Sequence, residues 1–142
     1  MTFMLIPSQT IEYKRVEVIK PIVVAKNAPQ RIIKHKVVKY TPPQGKVAEI
    51  AEMVARETGY PLDTISKIMF YESGYSTTAF NRNTNKTTDH SLFQINSIHI
   101  PEAQKMGLDI TDPNDNALFA IHLIKSQGLT PWSASKSKWS KI

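Results

Sequence analysis

A chain of 142 residues supports one compact domain of modest core with an appendage. The absence of cysteine excludes a disulfide framework and thiolate chemistry, and fits a protein made in a reducing compartment. The formal charge of +6 favours polyanionic partners in general, so its distribution along the chain matters more than its size.

That charge is unevenly placed. Residues 1–45 hold eight Lys and Arg against two acidic residues, and the remainder is balanced, so the whole excess sits in the first third. Short pieces of Val, Ile and Lys, such as Arg15 to Ile19 and Lys34 to Lys39, alternate there between Pro21, Pro29 and the stop at Pro42 and Pro43. Proline at these intervals argues against helix. The segment reads as an extended basic arm without a core of its own, of the kind that orders by pairing with a partner. Docking to a larger assembly, attraction to an anionic wall and a passive tail are all open. Aromatic residues are too sparse in the arm, with Tyr13 and Tyr40 in its body, for a nucleic-acid module. Met1 to Ile6 is too short and too poor in basic residues for a secretory leader, and no run approaches a membrane span.

From Lys46 the pattern turns helical. Val47, Ile50, Ala51, Val54 and Ala55 form one stripe that ends at Gly59. Leu62, Ile65, Ile68 and Met69 form a second, with Pro61 expected at the first helical position and Gly74 as terminator. Continuing that series places Glu72 on the inward side. Burial and the negative end of the helix dipole would both raise the pKa of such a carboxyl, which suits a general acid. A helix-end carboxylate reaching water is the other reading.

The run from Asn81 to Thr88 is dense in turn residues and predicts a short hairpin that delivers Asp89 into a polar setting. Asp89 is either a turn or capping residue, or the ionised partner of Glu72. Two carboxyl groups whose surroundings pull their pKa values apart are the acid and nucleophile or stabiliser of glycosidases.

Further along, Pro101 to Met106 predicts a short helix closed by Gly107. Asp112 is a cap for a longer one, with Pro113 in its first turn and Gly128 beyond its last. That helix is apolar nearly all round and belongs in the centre of the domain. His122 on it reads as a packed or hydrogen-bonded histidine, and Trp132 as a packing residue. The four histidines are dispersed, and His99 with Glu102 is a weak pair. No metal or cofactor site is predicted, and no phosphate-binding loop is present. The elements predict an α+β, predominantly α domain over 46–142, with a small hairpin near residues 81–96.

The run Tyr71-Glu72-Ser73-Gly74-Tyr75, the run Ala79 to Thr84, and Thr88-Asp89-His90-Ser91-Leu92-Phe93-Gln94-Ile95-Asn96-Ser97 together resemble the lysozyme-like superfamily. The stretch aligns without a gap to the active-site region of animal c-type lysozymes. It is equally similar to lytic transglycosylases of phage tails and of bacterial secretion and conjugation systems, to which Asn96 to His99 and Pro131 to Ala134 add. The likeness covers roughly Lys46 to Trp139. It implies a lysozyme-like domain that cleaves the β-1,4 bond between N-acetylmuramic acid and N-acetylglucosamine in peptidoglycan. Glu72 would be the catalytic acid and Asp89 the second carboxylate. Gln94 and Asn96 would line the sugar cleft, joined by Tyr75, with Ser91 and His90 beside them. Ser91 departs from the family, which usually carries Gly there, and the lack of cysteine favours the bacterial or phage branch. Hydrolysis and formation of a 1,6-anhydro product both remain open. With no leader and a basic arm, the expected setting is a phage virion, in the tail or the ejected contents, with docking through residues 1–45. A secretion apparatus in the periplasm is the alternative, and a catalytically inactive glycan-binding or structural component of a virion is the rival function.

Overall fold

The computed structural model describes residues 39–141. The predicted role of residues 1–45 as an extended docking arm falls almost entirely outside them. Pro42–Ile142 forms a compact unit that is predominantly helical with a small antiparallel sheet.

Helix α1 (Gly45–Thr58) buries Ile50, Ala51 and Val54, the middle of its predicted stripe. Helix α2 (Leu62–Ser73) buries Ile65, Ile68 and Met69. Pro61 stands at the N-cap in extended conformation, one position before the expected first helical residue. Its N–H is missing where the helix needs no donor, so either place suits it. Gly74 closes α2 at φ 60°, donating its N–H to Phe70 O at 2.8 Å. That left-handed residue turns the chain two positions after Glu72 and keeps the carboxyl in the last helical turn.

The sheet is larger than the expected hairpin. Strands β1 (Phe80–Arg82), β2 (Thr88–His90) and β3 (Ile95–Asn96) pair antiparallel in that order. In the register Asn81 faces Asp89, and Asp89 faces Asn96. The third strand forms because the chain reverses over Ser91 to Gln94, with positive φ at both ends of the turn (59° and 48°), and so brings Ile95 to the core. A sequence pattern only two residues long cannot announce such a strand.

Helix α3 (Ile100–Lys105) leads to α4 (Pro113–Gln127), which is capped by Asp112 through Asn114 and Asp115 N–H. Helix α4 is the centre of the domain, burying Asn116, Ala117, Phe119, Ala120, Ile121, Leu123 and Ile124. Complete burial of a ring such as Phe119 contributes roughly 1.5–3 kcal/mol. Asn116 is the polar exception inside this helix. Its Nδ2 donates to His90 O and Ile110 O, both at 2.8 Å, and its Oδ1 accepts from Phe93 N at 3.0 Å. One side chain thereby buckles α4 to the connection between β2 and β3. A 3-10 turn (Thr130–Ser135) and helix α5 (Lys136–Trp139) complete the fold, with Trp132 and Trp139 buried. The Trp132 indole donates to Phe93 O at 2.9 Å and packs edge-on to the Phe93 ring, a packing role. Among the described residues no helix is long and apolar enough to cross a membrane.

Candidate active site

Glu72 and Asp89 come from different layers. Glu72 sits in the last turn of α2, half-buried against the C-terminal elements. Ser135 Oγ donates a hydrogen bond to its Oε1. Burial pushes the Glu72 carboxyl above its ordinary range, and the nearby charge of Asp89 adds to the effect; the Ser135 hydroxyl and the positive charge of Lys138 oppose it. The net direction is upward, toward a carboxylic acid that still holds its proton where a solvated glutamate has lost it.

Asp89 occupies the middle of β2, paired on both sides. Its Oδ1 accepts from Asn96 Nδ2 at 2.7 Å and its Oδ2 from Asn83 Nδ2 at 3.0 Å. Each amide gives its second hydrogen to Thr87 Oγ1, at 2.9 Å from Asn96 and 3.0 Å from Asn83. The Thr87 hydroxyl accepts both and donates to Asn85 Oδ1 at 2.7 Å. Every hydrogen of the two amides and of the hydroxyl is thus used, and both carboxylate oxygens are held by donors. Such a group is positioned to face developing positive charge without moving.

The other predicted site residues divide by position. Asn96 belongs to the Asp89 network and also caps the following turn, its Oδ1 accepting from Ile98 N at 3.0 Å. Gln94 directs its amide inward, donating to Ser91 O at 2.9 Å and Ala79 O at 3.3 Å, so it braces the turn between β2 and β3. Ser91 is buried at φ 59°, the left-handed conformation that explains why glycine suits this position. Its hydroxyl compensates by donating to Thr77 O at 2.9 Å. His90, next to Asp89 on a strand, faces the opposite side of the sheet, where it bonds Thr88 Oγ1 at 2.8 Å and meets the Phe80 ring. Tyr75, at φ 65°, packs on the core with its ring tilted against Phe70.

Asn83, Thr87, Ser135 and Trp139 are site residues that motif reasoning passed over. Asn83 and Thr87 were readable as turn residues; Ser135 carries no local signal, since its partner is 63 positions away. His122 is half-exposed and bonds Glu102 Oε1 at 2.9 Å, while His99 Nδ1 lies 3.8 Å from Glu102 Oε2. Among the described residues no group of three or more His, Cys, Asp or Glu is placed to hold a metal ion.

Of two hollows among the described residues, one of about 300 Å³ is lined by residues such as Ile100, Leu108 and Ile110, and the other, of about 230 Å³, by Leu129, Thr130, Ser133, Lys136 and Trp139. Neither includes a carboxylate of the pair. No protein-family model matches the chain, and no curated protein sequence matches it.

Proposed function

We propose that this protein is a lysozyme-like, peptidoglycan-degrading glycosidase that cleaves the β-1,4 bond between N-acetylmuramic acid and N-acetylglucosamine. The observation that carries the reading is the division of environments between two neighbouring carboxyl groups. Burial holds the Glu72 carboxyl toward its protonated form, and Asp89 is clamped by two amide donors. Glu72 donates its proton to the departing glycosidic oxygen, and Asp89 faces the oxocarbenium-like centre as nucleophile or stabiliser. Hydrolysis by water and closure by the sugar's own 6-hydroxyl share this first step.

Digestion of purified cell-wall glycan tests the proposal. The expected result is muramidase-type fragments from the native chain and a loss of roughly 100-fold or more for Glu72→Gln. Undiminished cleavage by that variant overturns it. Mass spectrometry of the fragments separates a reducing end from a 1,6-anhydro end. The rival reading is a non-catalytic glycan-binding or structural component, and Ser91, where the resembled families usually carry Gly, is the one residue in its favour. The Ser91 hydroxyl is engaged within the turn, donating to Thr77 O.

The setting proposed is a phage virion, in the tail or ejected contents, acting on the bacterial wall, with a periplasmic secretion apparatus as the alternative. Comparing incorporation of the full chain and of a chain beginning at Lys46 into the native particle tests the arm. Equal incorporation refutes its docking role.

A further inference from the structure

The C-terminal elements present to Glu72 a set of hydrogen-bonding atoms whose proton count is restrictive. Ser135 has one hydroxyl proton and two acceptors in reach, Glu72 Oε1 and Trp132 O, the latter at 3.2 Å. Trp139 has one indole N–H, whose Nε1 lies 3.0 Å from Ser135 Oγ and 3.2 Å from Trp132 O. The indole can only donate. The indole proton, nearer to Ser135 Oγ than to the carbonyl, engages a lone pair on the hydroxyl oxygen, and of the two acceptors open to the hydroxyl proton Glu72 Oε1 is the nearer. Trp139 itself is buried and fixed.

We infer that Ser135, oriented by the Trp139 indole, is a positioning residue that keeps Oε1 of Glu72 as a hydrogen-bond acceptor and so assigns the acidic proton to Oε2. This deepens the glycosidase reading and rests on it for its catalytic meaning, though the hydrogen-bond assignment stands by itself. A carboxylic acid with a free choice of oxygen and rotamer presents its proton to substrate only part of the time. A donor on one oxygen removes that choice. When the proton leaves Oε2 for the glycosidic oxygen, the same hydroxyl already faces the carboxylate being formed, so no group has to turn during the step.

The charged groups facing Glu72 come from two other elements. Lys138 lies on α5, three residues beyond Ser135 and on the same helical face, and Asp89 lies on β2. Neither makes a hydrogen bond to a Glu72 oxygen, so Ser135 is the group that distinguishes Oε1 from Oε2.

The test is carboxyl-carbon NMR of the full chain labelled at glutamate, without glycan, together with pH profiles of kcat and KM on soluble glycan. Ser135→Ala is expected to move the Glu72 titration to higher pH, because a donor favours the ionised form. It should also lower kcat about tenfold at a pH where both proteins are protonated, with KM little changed. Ser135→Thr, which retains the hydroxyl, should restore both. Trp139→Phe keeps a ring but lacks the N–H, and should move the titration in the same direction by less. An unmoved titration in Ser135→Ala, or failure of Ser135→Thr to restore it, overturns the inference. If the native chain cleaves no glycan but the titration moves and is restored as stated, the glycosidase reading falls and the assignment of Ser135 to Oε1 stands.

Discussion

Replacing Asn116 by alanine is expected to be among the most damaging single changes in the domain. The residue is fully buried, and all three of its side-chain hydrogen bonds go to backbone groups of other segments. His90 O remains beside Ile95 in the sheet ladder after the side chain is cut. Phe93 N–H and Ile110 C=O lose the amide that satisfied them. A buried polar group left unpaired costs about 1–3 kcal/mol, so the two together cost roughly 2–6 kcal/mol, against a total of roughly 5–15 kcal/mol for a domain. With a urea slope of about 2 kcal/mol per molar, the midpoint should fall by about 1–3 M. Leu118→Ala, on the exposed side of the same helix, is the control and should shift it far less. Equilibrium urea unfolding followed by tryptophan fluorescence reads both, since Trp132 packs on the segment Asn116 holds. A midpoint shift for Asn116→Ala worth less than about 1 kcal/mol would refute the reasoning, because it would mean that the buckle between α4 and the sheet is not what satisfies those groups.

Glu72→Gln should abolish wall cleavage yet raise the thermal midpoint near neutral pH. The folded pKa of Glu72 lies above its ordinary 4.5, so the folded state binds more protons between the two values and stability falls as pH rises through that window. The stabilising effect of Gln should therefore fade as pH drops toward 4.5, and calorimetry across pH checks it. Cleavage by the native chain should decline on the alkaline side as Glu72 gives up its proton, with a midpoint above 4.5 in the pH profile of kcat/KM; a midpoint at or below that value speaks against Glu72 as the acid. Asn83→Ala removes one of two donors to Asp89 and should reduce kcat by about tenfold with little change in thermal midpoint, measured on soluble glycan. Ser91→Ala keeps the unfavourable φ of 59° and loses the bond to Thr77 O, so it should destabilise by about 1 kcal/mol; Ser91→Gly relieves the backbone and should come out close to neutral in the same unfolding assay.

The helices were legible because their signals are local and repeated. The stripe through Ile65, Ile68 and Met69 is buried along with the residues between, and the caps at Asp112 and Gly74 lie at the helix ends. The inward direction of Glu72 follows from the same period, which explains how one half of the candidate site could be read from spacing alone. Its partner could not. Nothing near Ser135 distinguishes it from the other serines of the C-terminal segment, and only the packing of α5 on α2 brings it to Glu72. The third strand was hidden for a different reason: two residues carry no period, and the turn before them needs positive φ at Ser91 and Gln94, residue types that do not advertise it. Gln94 and Asn96 both carry side-chain amides next to a carboxylate. Only the register, which sets Asn96 opposite Asp89, separates the one that reaches it from the one that braces a turn.

The two carboxyl groups also differ in how far along the chain their support must be gathered. The donors on Asp89 are six and seven positions away, so its setting closes with short loops of small entropic cost. Glu72 waits for a residue 63 positions away, which arrives only when the helical core has assembled. During folding the network around Asp89 can therefore form as a local unit, while Glu72 gains its hydroxyl partner only once the segment before α5 has docked. Opening of α5 alone would leave the Asp89 clamp intact and Glu72 without its hydroxyl partner, so if the proposed glycosidase activity holds, hydrogen-exchange protection in α5 should track it more closely than protection in the sheet.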